Sequence, residues 1–482
     1  MNSPAAGATT TGFLLDGRWV MEGEPLPIVS PFDGSLVGTT FQASAKHLGE
    51  ATCAVVRAFE TTRRIPAYER QRVLAAISEG IAARRDEFVR IMALEAGKPI
   101  KAARVEVDRA VFTFRVAAEE SVRISGEWLP LDWSPGWEGR SAILRRFALG
   151  PVAAITPFNF PLNLVAHKVA PAIAAGCSMV LKPAPKTPLC GLMLAEIVEQ
   201  AGWPAGALNV LCLSNKDAEV MAADEGFKLL TFTGSDAVGW MLKAKAGKKR
   251  VALELGGNAA VIVHSDADIA HAAEVCATGG FSYAGQSCIS VQRIYVHRSV
   301  ENEFVQVLVN RVGKLKVGDP LDEATDVGPM INEAAALRVE EWIEGAQRSG
   351  ARVLVGGRRD GSIFYPTVLT DARPDMRVVC EEVFAPVVVV ALYDDFSGVL
   401  GAVNESRYGL QAGLFTNDVR LIQAAYEMLD VGGLIVNDTP TFRADQMPYG
   451  GVKDSGLGRE GLRSAIEEMT ERKLLVMHLA GR

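Results

Sequence analysis

At 482 residues, 49 % of them apolar, the chain is too long for one ordinary core and well supplied to build two or three. Its net charge of −7 comes from interspersed acidic and basic residues, which argues against a nucleic-acid surface; the basic cluster Lys243 to Arg250 fits a solvated helix end. Seven widely spaced cysteines without a Cys-x-x-Cys argue against disulfides and a metal site and suit the cytoplasm, while a polar start and no apolar run of about 18 residues argue against a leader or membrane span.

Apolar residues at helical spacing (Val73, Leu74, Ile77, Ile81, Phe88, Ile91, Met92) predict a helix over 66–96 that stops at Gly97-Lys98-Pro99, and a second helix over 101–120. Residues 122–147, with Trp128, Pro130, Trp133, Pro135 and Trp137, read as an extended hairpin. From there the texture alternates, with strands at 152–156, 178–182, 208–212 and 229–233 and helices at 161–175, 188–201, 216–224 and 235–246. That alternation predicts a parallel sheet wound on both faces. A second set follows, with strands at 260–263, 292–296, 352–355, 387–392, 411–415 and 433–436 and helices at 266–283, 299–314, 334–349 and 418–429. The last strand-like run, Lys473 to Met477, is expected to pair with the hairpin of another subunit, making an oligomer.

Two residues stand out chemically. Glu254 closes the run Val251-Ala252-Leu253 and precedes Leu255-Gly256-Gly257, and Cys288 lies in Gly285-Gln286-Ser287-Cys288. They read as a base and a nucleophile in small-residue frames that let a ligand approach the backbone. Leu229 to Thr233 runs into Gly234-Ser235 and a helix, whose free N–H groups suit a pyrophosphate, although the spacing is not Gly-x-Gly-x-x-Gly and, taken alone, the segment reads first as a plain strand–turn–helix without ligand. Lys182 ends a predicted strand where open sheets bind ligands, or is simply solvated there. Asn159, in Pro157-Phe158-Asn159-Phe160-Pro161, is placed as an oxyanion donor or as a turn former.

Together, Asn159, Lys182-Pro183-Ala184, Gly234 with Gly239, Glu254-Leu255-Gly256-Gly257, Cys288, Glu382 in Glu-Glu-Val-Phe-Ala-Pro, and Pro448-Tyr449-Gly450-Gly451 with Ser455 to Glu460 resemble the aldehyde dehydrogenase superfamily over roughly residues 12 to 477. The resemblance implies an α/β fold: an NAD(P)-binding, Rossmann-type domain (1–121 and 148–253), a catalytic domain (254–440), and a β oligomerisation arm with a C-terminal segment (122–147 and 441–482). It implies that Cys288 attacks an aldehyde, Asn159 holds the oxyanion, Glu254 activates water against the thioester, and Lys168 and Glu460 relay the proton. NAD or NADP would meet Thr156, Pro157, Phe158, Lys182, Ala184, Pro185, Lys186, Gly234, Ser235, Leu255, Gly256, Glu382 and Phe384. Substrate would meet Arg104, His167, Ser287, Ile289, Arg443 and Tyr449, in a dimer or dimer of dimers.

Two departures bear on identity. Where NAD-selective members often carry a glutamate, this chain has Pro185 followed by Lys186, which removes repulsion against a 2′-phosphate and implies that NADP is accepted. Ser287 precedes the cysteine, and Phe442 to Tyr449 is similar to the branch of lactaldehyde and non-phosphorylating glyceraldehyde-phosphate dehydrogenases, implying a small hydroxylated or anionic aldehyde met by Arg443 or Arg104. A cysteine esterase, or a non-catalytic binding protein on this fold, is the alternative.

Overall fold

The computed structural model describes residues 9–479; residues 1–8, part of the stretch read as lacking a leader, lie outside the described residues. Five parallel strands form the heart of the first sheet, in the order Arg250–Glu254, Leu229–Thr233, Val152–Ile155, Met179–Lys182 and Leu208–Val210. Short β-branched and aliphatic runs suit this position because helices cover both faces, so the strands are mostly apolar on both faces rather than alternating. Gly456–Leu457 adds antiparallel to one edge, and Phe13–Leu15 with Arg18–Val20 to the other. All five parallel strands end on one side, so Ile155, Lys182, Thr233 and Glu254 share one rim.

The second sheet runs Arg352–Val355, Thr367–Thr370, Val387–Tyr393, Arg293–His297, Ala260–Val263, Gln411–Phe415 and Gly433–Val436, parallel except for the first strand. Helices Ile269–Phe281, Glu301–Val312 and Glu333–Arg348 pack on one face, and Phe396–Asn404 with Val419–Met428 on the other. The helix expected over 66–96 is two, Ala67–Ala83 and Arg85–Ala96, broken at Arg84. There φ is −104° and ψ 21°, and the guanidinium reaches Glu87 and Glu196 at 2.7 Å each. Periodicity missed the break because Ile81 and Phe88 stay on the same buried side.

The hairpin Glu127–Pro130 and Arg140–Ala148 is present, but its partner strand differs from expectation. Thr470–His478 pairs along its whole length with Arg140–Ala148 of the same chain, Leu474 facing Leu144. The sequence signal for an edge strand could not say whose edge it would join. Beyond residue 441 the chain serves different partners: Gly456–Leu457 extends the first sheet, and Leu462–Glu468 packs against the helix Asn163–Ala175.

Two helices flanking the first sheet begin without a side-chain cap of their own: Asn163–Ala175, which carries site residues, and Leu189–Gln200. Carboxylates from neighbouring helices take that place. Glu106 accepts from the N–H groups of Leu162 and Asn163 at 3.0 and 3.1 Å, and Glu95 from those of Leu189 and Cys190 at 2.9 and 3.1 Å. Both are buried, and burial pushes the Glu95 carboxyl up to about 7. Glu106 also pairs with the buried Lys98, whose ammonium lies 3.7 Å from the Phe160 ring centre; burial lowers its pKa. Glu106→Gln keeps the shape but leaves Lys98 without its counter-charge, and is expected to cost about 3–5 kcal/mol of stability. A melting temperature equal to wild type would contradict this.

Candidate active site

The rim of the first sheet faces the second across a cavity of about 380 Å³ whose wall includes Asn159, Glu254, Ser287, Cys288, Ile289, Glu382, Arg443 and Tyr449. Thus Asn159, Glu254, Cys288 and Glu382, far apart in sequence, come together. Among the described residues, nine buried side-chain polar atoms lack a partner, and Asn159 Oδ1, Thr233 Oγ1, Glu254 Oε2 and Arg443 Nε all belong to this wall. Buried polar groups are ordinarily satisfied, so such a concentration marks a place where a ligand completes the bonding.

Cys288 sits on a tightly held turn. After Ile269–Phe281 the chain enters a short 3₁₀ turn in which Tyr283 and Ala284 have φ of 50° and 52°, a left-handed conformation costly for residues with a Cβ. It is held by Tyr283 Oη donating to the Ala96 carbonyl at 3.0 Å and by Gln286 Oε1 accepting from Ile331 N–H at 2.9 Å. Cys288 is half-buried, its Sγ is 3.1 Å from Tyr449 Oη, and burial pushes the thiol up to about 12. Tyr449, expected on the substrate wall, therefore also touches the sulfur. Asn159 Nδ2 donates to the Gln286 carbonyl at 2.9 Å, which leaves its second N–H for other use.

Glu254 is 6 % exposed, and its carboxyl is pushed well above the usual range by burial and then by Glu460. Behind it lies a chain of buried charges. Lys168 donates to Thr231 Oγ1 at 2.9 Å and reaches Glu460 at 3.4 Å, while Arg443 meets the other Glu460 oxygen at 2.8 Å. Burial would raise Glu460, but Lys168 and Arg443 hold it at about 2. Lys168 and Glu460 thus adjoin the cavity from behind rather than lining it.

Two substrate expectations need correction. Arg104 points outward and pairs with Glu323, because its place on the helix Ile100–Ser121 turns it to solvent. Arg109, on the same helix, lines the cavity instead, held by Asp445 at 2.7 and 3.1 Å. His167 does not line it either: it is buried, with Nε2 2.9 Å from Asp445 Oδ1. Asp445 further accepts from Asn163 Nδ2 at 3.1 Å, and these bonds from His167 and Arg109 overcome its burial to keep it ionised. Arg109, Asn163 and Asp445 were missed as site residues.

The rim also suits a dinucleotide. Lys182 is buried with one distant partner, Asn215 Oδ1 at 3.5 Å, and burial lowers its pKa to about 8. Thr156 and Thr233, at neighbouring strand ends, keep unpartnered hydroxyls. Ser235 stands at the start of Asp236–Lys245 without capping it, so helix N–H groups stay open, and a Cβ on Gly234 would lie 2.5 Å from the Phe232 ring. Glu382 accepts from Gly257 N–H at 3.0 Å, burial raising its carboxyl to about 7, and one of its oxygens occupies the space a Cβ on Gly256 would need. Phe384, at φ 50°, packs edge-on to Phe158 at 5.9 Å, beside Pro157 and Leu255. Ala184 and Pro185 are half-buried after Lys182, and Lys186 is exposed. Unpaired donors, an open helix start and a carboxylate at the far end fit ribose, pyrophosphate and nicotinamide groups respectively.

A family model described as the aldehyde dehydrogenase family matches residues 19–475. The 3-sulfolactaldehyde dehydrogenase of Priestia aryabhattai is 46 % identical over 469 residues, 97 % of this chain and 98 % of that one. Aldehyde dehydrogenase 21 of Physcomitrella patens, solved with the reaction product succinate, superposes with a TM-score of 0.96 at 44 % identity, covering 99 % of this chain and 100 % of that one. Glyceraldehyde-3-phosphate dehydrogenase of Methanocaldococcus jannaschii, solved with NADP, does so with 0.92 at 39 % identity, covering 95 % and 100 %. Fold, rim and relatives agree across nearly the whole length: the chain belongs to the aldehyde dehydrogenase family and is an NAD(P)-dependent aldehyde dehydrogenase.

Proposed function

We propose that the enzyme oxidises a short aldehyde carrying an anionic group, and tolerating a hydroxyl, to the carboxylate. The observation that carries this reading is the pair of guanidinium groups, Arg109 and Arg443, in the same enclosed wall as Cys288 and Glu254. Each is fixed by a buried carboxylate, Asp445 or Glu460, so it meets a ligand without first losing much side-chain freedom. The names of the relatives, with a sulfonated aldehyde, a phosphorylated one and a dicarboxylate product, support an anion at that end.

In this reading Cys288 adds to the aldehyde as its thiolate, and the free N–H of Asn159 takes the oxyanion of the thiohemiacetal. Lys182 would hold the adenosine ribose, Gly234 and Ser235 the pyrophosphate, and Glu382 with Phe384 the nicotinamide end. When bound, NAD(P) supplies the hydride acceptor that the oxidation requires. Glu254 then takes a proton from the water that attacks the resulting thioester, which frees the carboxylate product and returns the cysteine as thiolate. That proton leaves toward Lys168 and Glu460.

Pro185 and Lys186 favour use of NADP, since a cation rather than a carboxylate stands near the ribose lysine. A homo-oligomer is supported by exposed Leu474, Leu475 and Val476 on one edge strand of the arm and by exposed Trp128 on the other edge strand with Trp133 and Trp137 in the hairpin loop. A cytoplasmic setting is supported by seven free cysteines; among the described residues no helix is long and apolar enough to cross a membrane.

Four outcomes test the reading. Arg109→Gln should raise KM for an anionic aldehyde about tenfold or more while leaving a neutral aldehyde of equal length nearly unchanged; equal effects on both would remove the anion-binding role. Glu254→Gln should keep a stoichiometric burst of reduced cofactor but lose about 10²–10⁴-fold in steady-state turnover. In the wild type the hydrolytic step should weaken as pH falls through the raised pKa of Glu254, which faces Glu460, Arg443, Lys168 and Arg459; a burst-free, fully active glutamine variant contradicts the base assignment. Lys186→Glu should lower kcat/KM for NADP relative to NAD about tenfold, and an unchanged ratio would show that Lys186 reads no phosphate.

A further inference from the structure

We propose that the Tyr449 hydroxyl is a catalytic hydrogen-bond donor to the Cys288 thiolate, strengthened by the Arg443 guanidinium stacked on its ring. The proposal rests on the reading of Cys288 as nucleophile. Tyr449 Oη has Cys288 Sγ, 3.1 Å away, as its hydrogen-bond partner. The ring has little freedom: Tyr449 is 3 % exposed, its N–H donates to the Glu460 carbonyl at 3.0 Å, and its carbonyl accepts from Glu460 N–H at 2.6 Å. Arg443 lies 3.8 Å from the ring centre and is itself held by Glu460. A cation over a phenol ring withdraws charge from its oxygen and makes the O–H a better donor.

The need for such a donor follows from the surroundings of the sulfur. The ionisable groups that face it are Tyr449, Glu382, Arg443 and Glu254, and two of these are acids that repel a thiolate when ionised. Burial disfavours the anion further. The phenol itself, buried and beside Cys288, stays protonated far above neutral pH and so keeps its proton to share. On ionisation the thiol proton passes to solvent water in the cavity, and Tyr449 retains its own. The same O–H would receive the thiolate when it departs from the thioester, so one donor serves the start and the end of the cycle. Phenylalanine here would pack as well against Ile289, Leu410 and Met447, so packing alone does not require the hydroxyl.

The test is the rate of Cys288 carboxamidomethylation by iodoacetamide across pH, followed by peptide mass spectrometry on the full chain without cofactor. Tyr449→Phe should move the midpoint to higher pH, so that alkylation below it is about tenfold slower. The exposed Cys53 and Cys380 should react as in the wild type, which serves as the internal control. Fluorotyrosine placed at 449, a more acidic phenol in the same shape, should move the midpoint the other way, and it keeps the test intact if the phenylalanine variant folds poorly. Superimposable profiles for Tyr449→Phe and wild type would overturn the proposal. Aldehyde oxidation that survives complete alkylation of Cys288 would remove the nucleophile assignment, and this donor role with it.

Discussion

Every charge buried behind the cavity must find a partner, and the structure depends on how that demand is met. Glu460 stands between Lys168 and Arg443, Asp445 between Arg109 and His167, and Glu106 between Lys98 and the start of a helix. Desolvating a lone charge costs several kcal/mol, roughly, so these pairings are conditions for folding rather than ornaments. Among the described residues, Glu254 Oε2 is the one buried carboxylate oxygen left without a hydrogen-bond partner. The arrangement pairs the neighbouring carboxylates, Glu460 and Asp445, and leaves Glu254 to be satisfied by a proton or by water, the condition that the proposed base role requires.

The same pairings set the polarity of the cavity. Arg109, Arg443 and Lys168 are opposed by Asp445 and Glu460, so with Glu254 protonated this array, partly in the wall and partly behind it, carries an excess of one positive charge by formal count. Arg443 serves twice, neutralising Glu460 on one side and covering the Tyr449 ring on the other. Glu254 and Cys288, the proposed base and nucleophile, thus both have Arg443 among the charges that face them. Farther along the rim, Arg407 binds Asp236 at the start of a cofactor-side helix and Glu381 beside Glu382 in the loop that precedes Val387–Tyr393 of the second sheet, tying the two walls of the cleft together.

What could be read from the chain and what could not divides along a physical line. Most strands of the two sheets were legible because runs of β-branched and aliphatic residues, buried on both faces in the middle of a sheet, need no partner to be recognised, but Arg250–Glu254 and Thr367–Thr370 were not read as strands. Glu254, Cys288, Asn159, Lys182 and Glu382 were legible as motifs, since each sits in a frame of glycine or proline that serves the backbone. Pairings between distant segments were not. Thr470–His478 gave an edge-strand signal, but nothing local says which chain supplies its neighbour. Arg104 and Arg109 lie on opposite flanks of the stripe formed by Ala103, Val107, Ala110 and Phe114, and Glu106, buried on the Arg109 side, was the available sign of which flank faces the site. Phe13–Leu15 and Arg18–Val20 are too short to show a period, and the helix Ala45–Thr62 presents mostly small residues to the core.

The proposed base role requires Glu254 to be held as an uncompensated carboxyl poised to take a proton. It is tested most directly by infrared difference spectra, wild type minus Glu254→Gln, recorded as pH is raised from about 5 to about 9. The expected result is a protonated-carboxyl band that persists well above the pH at which an ordinary glutamate ionises, about 4.3, and then gives way to carboxylate. A residue already fully ionised at the acid end of the series would contradict the account.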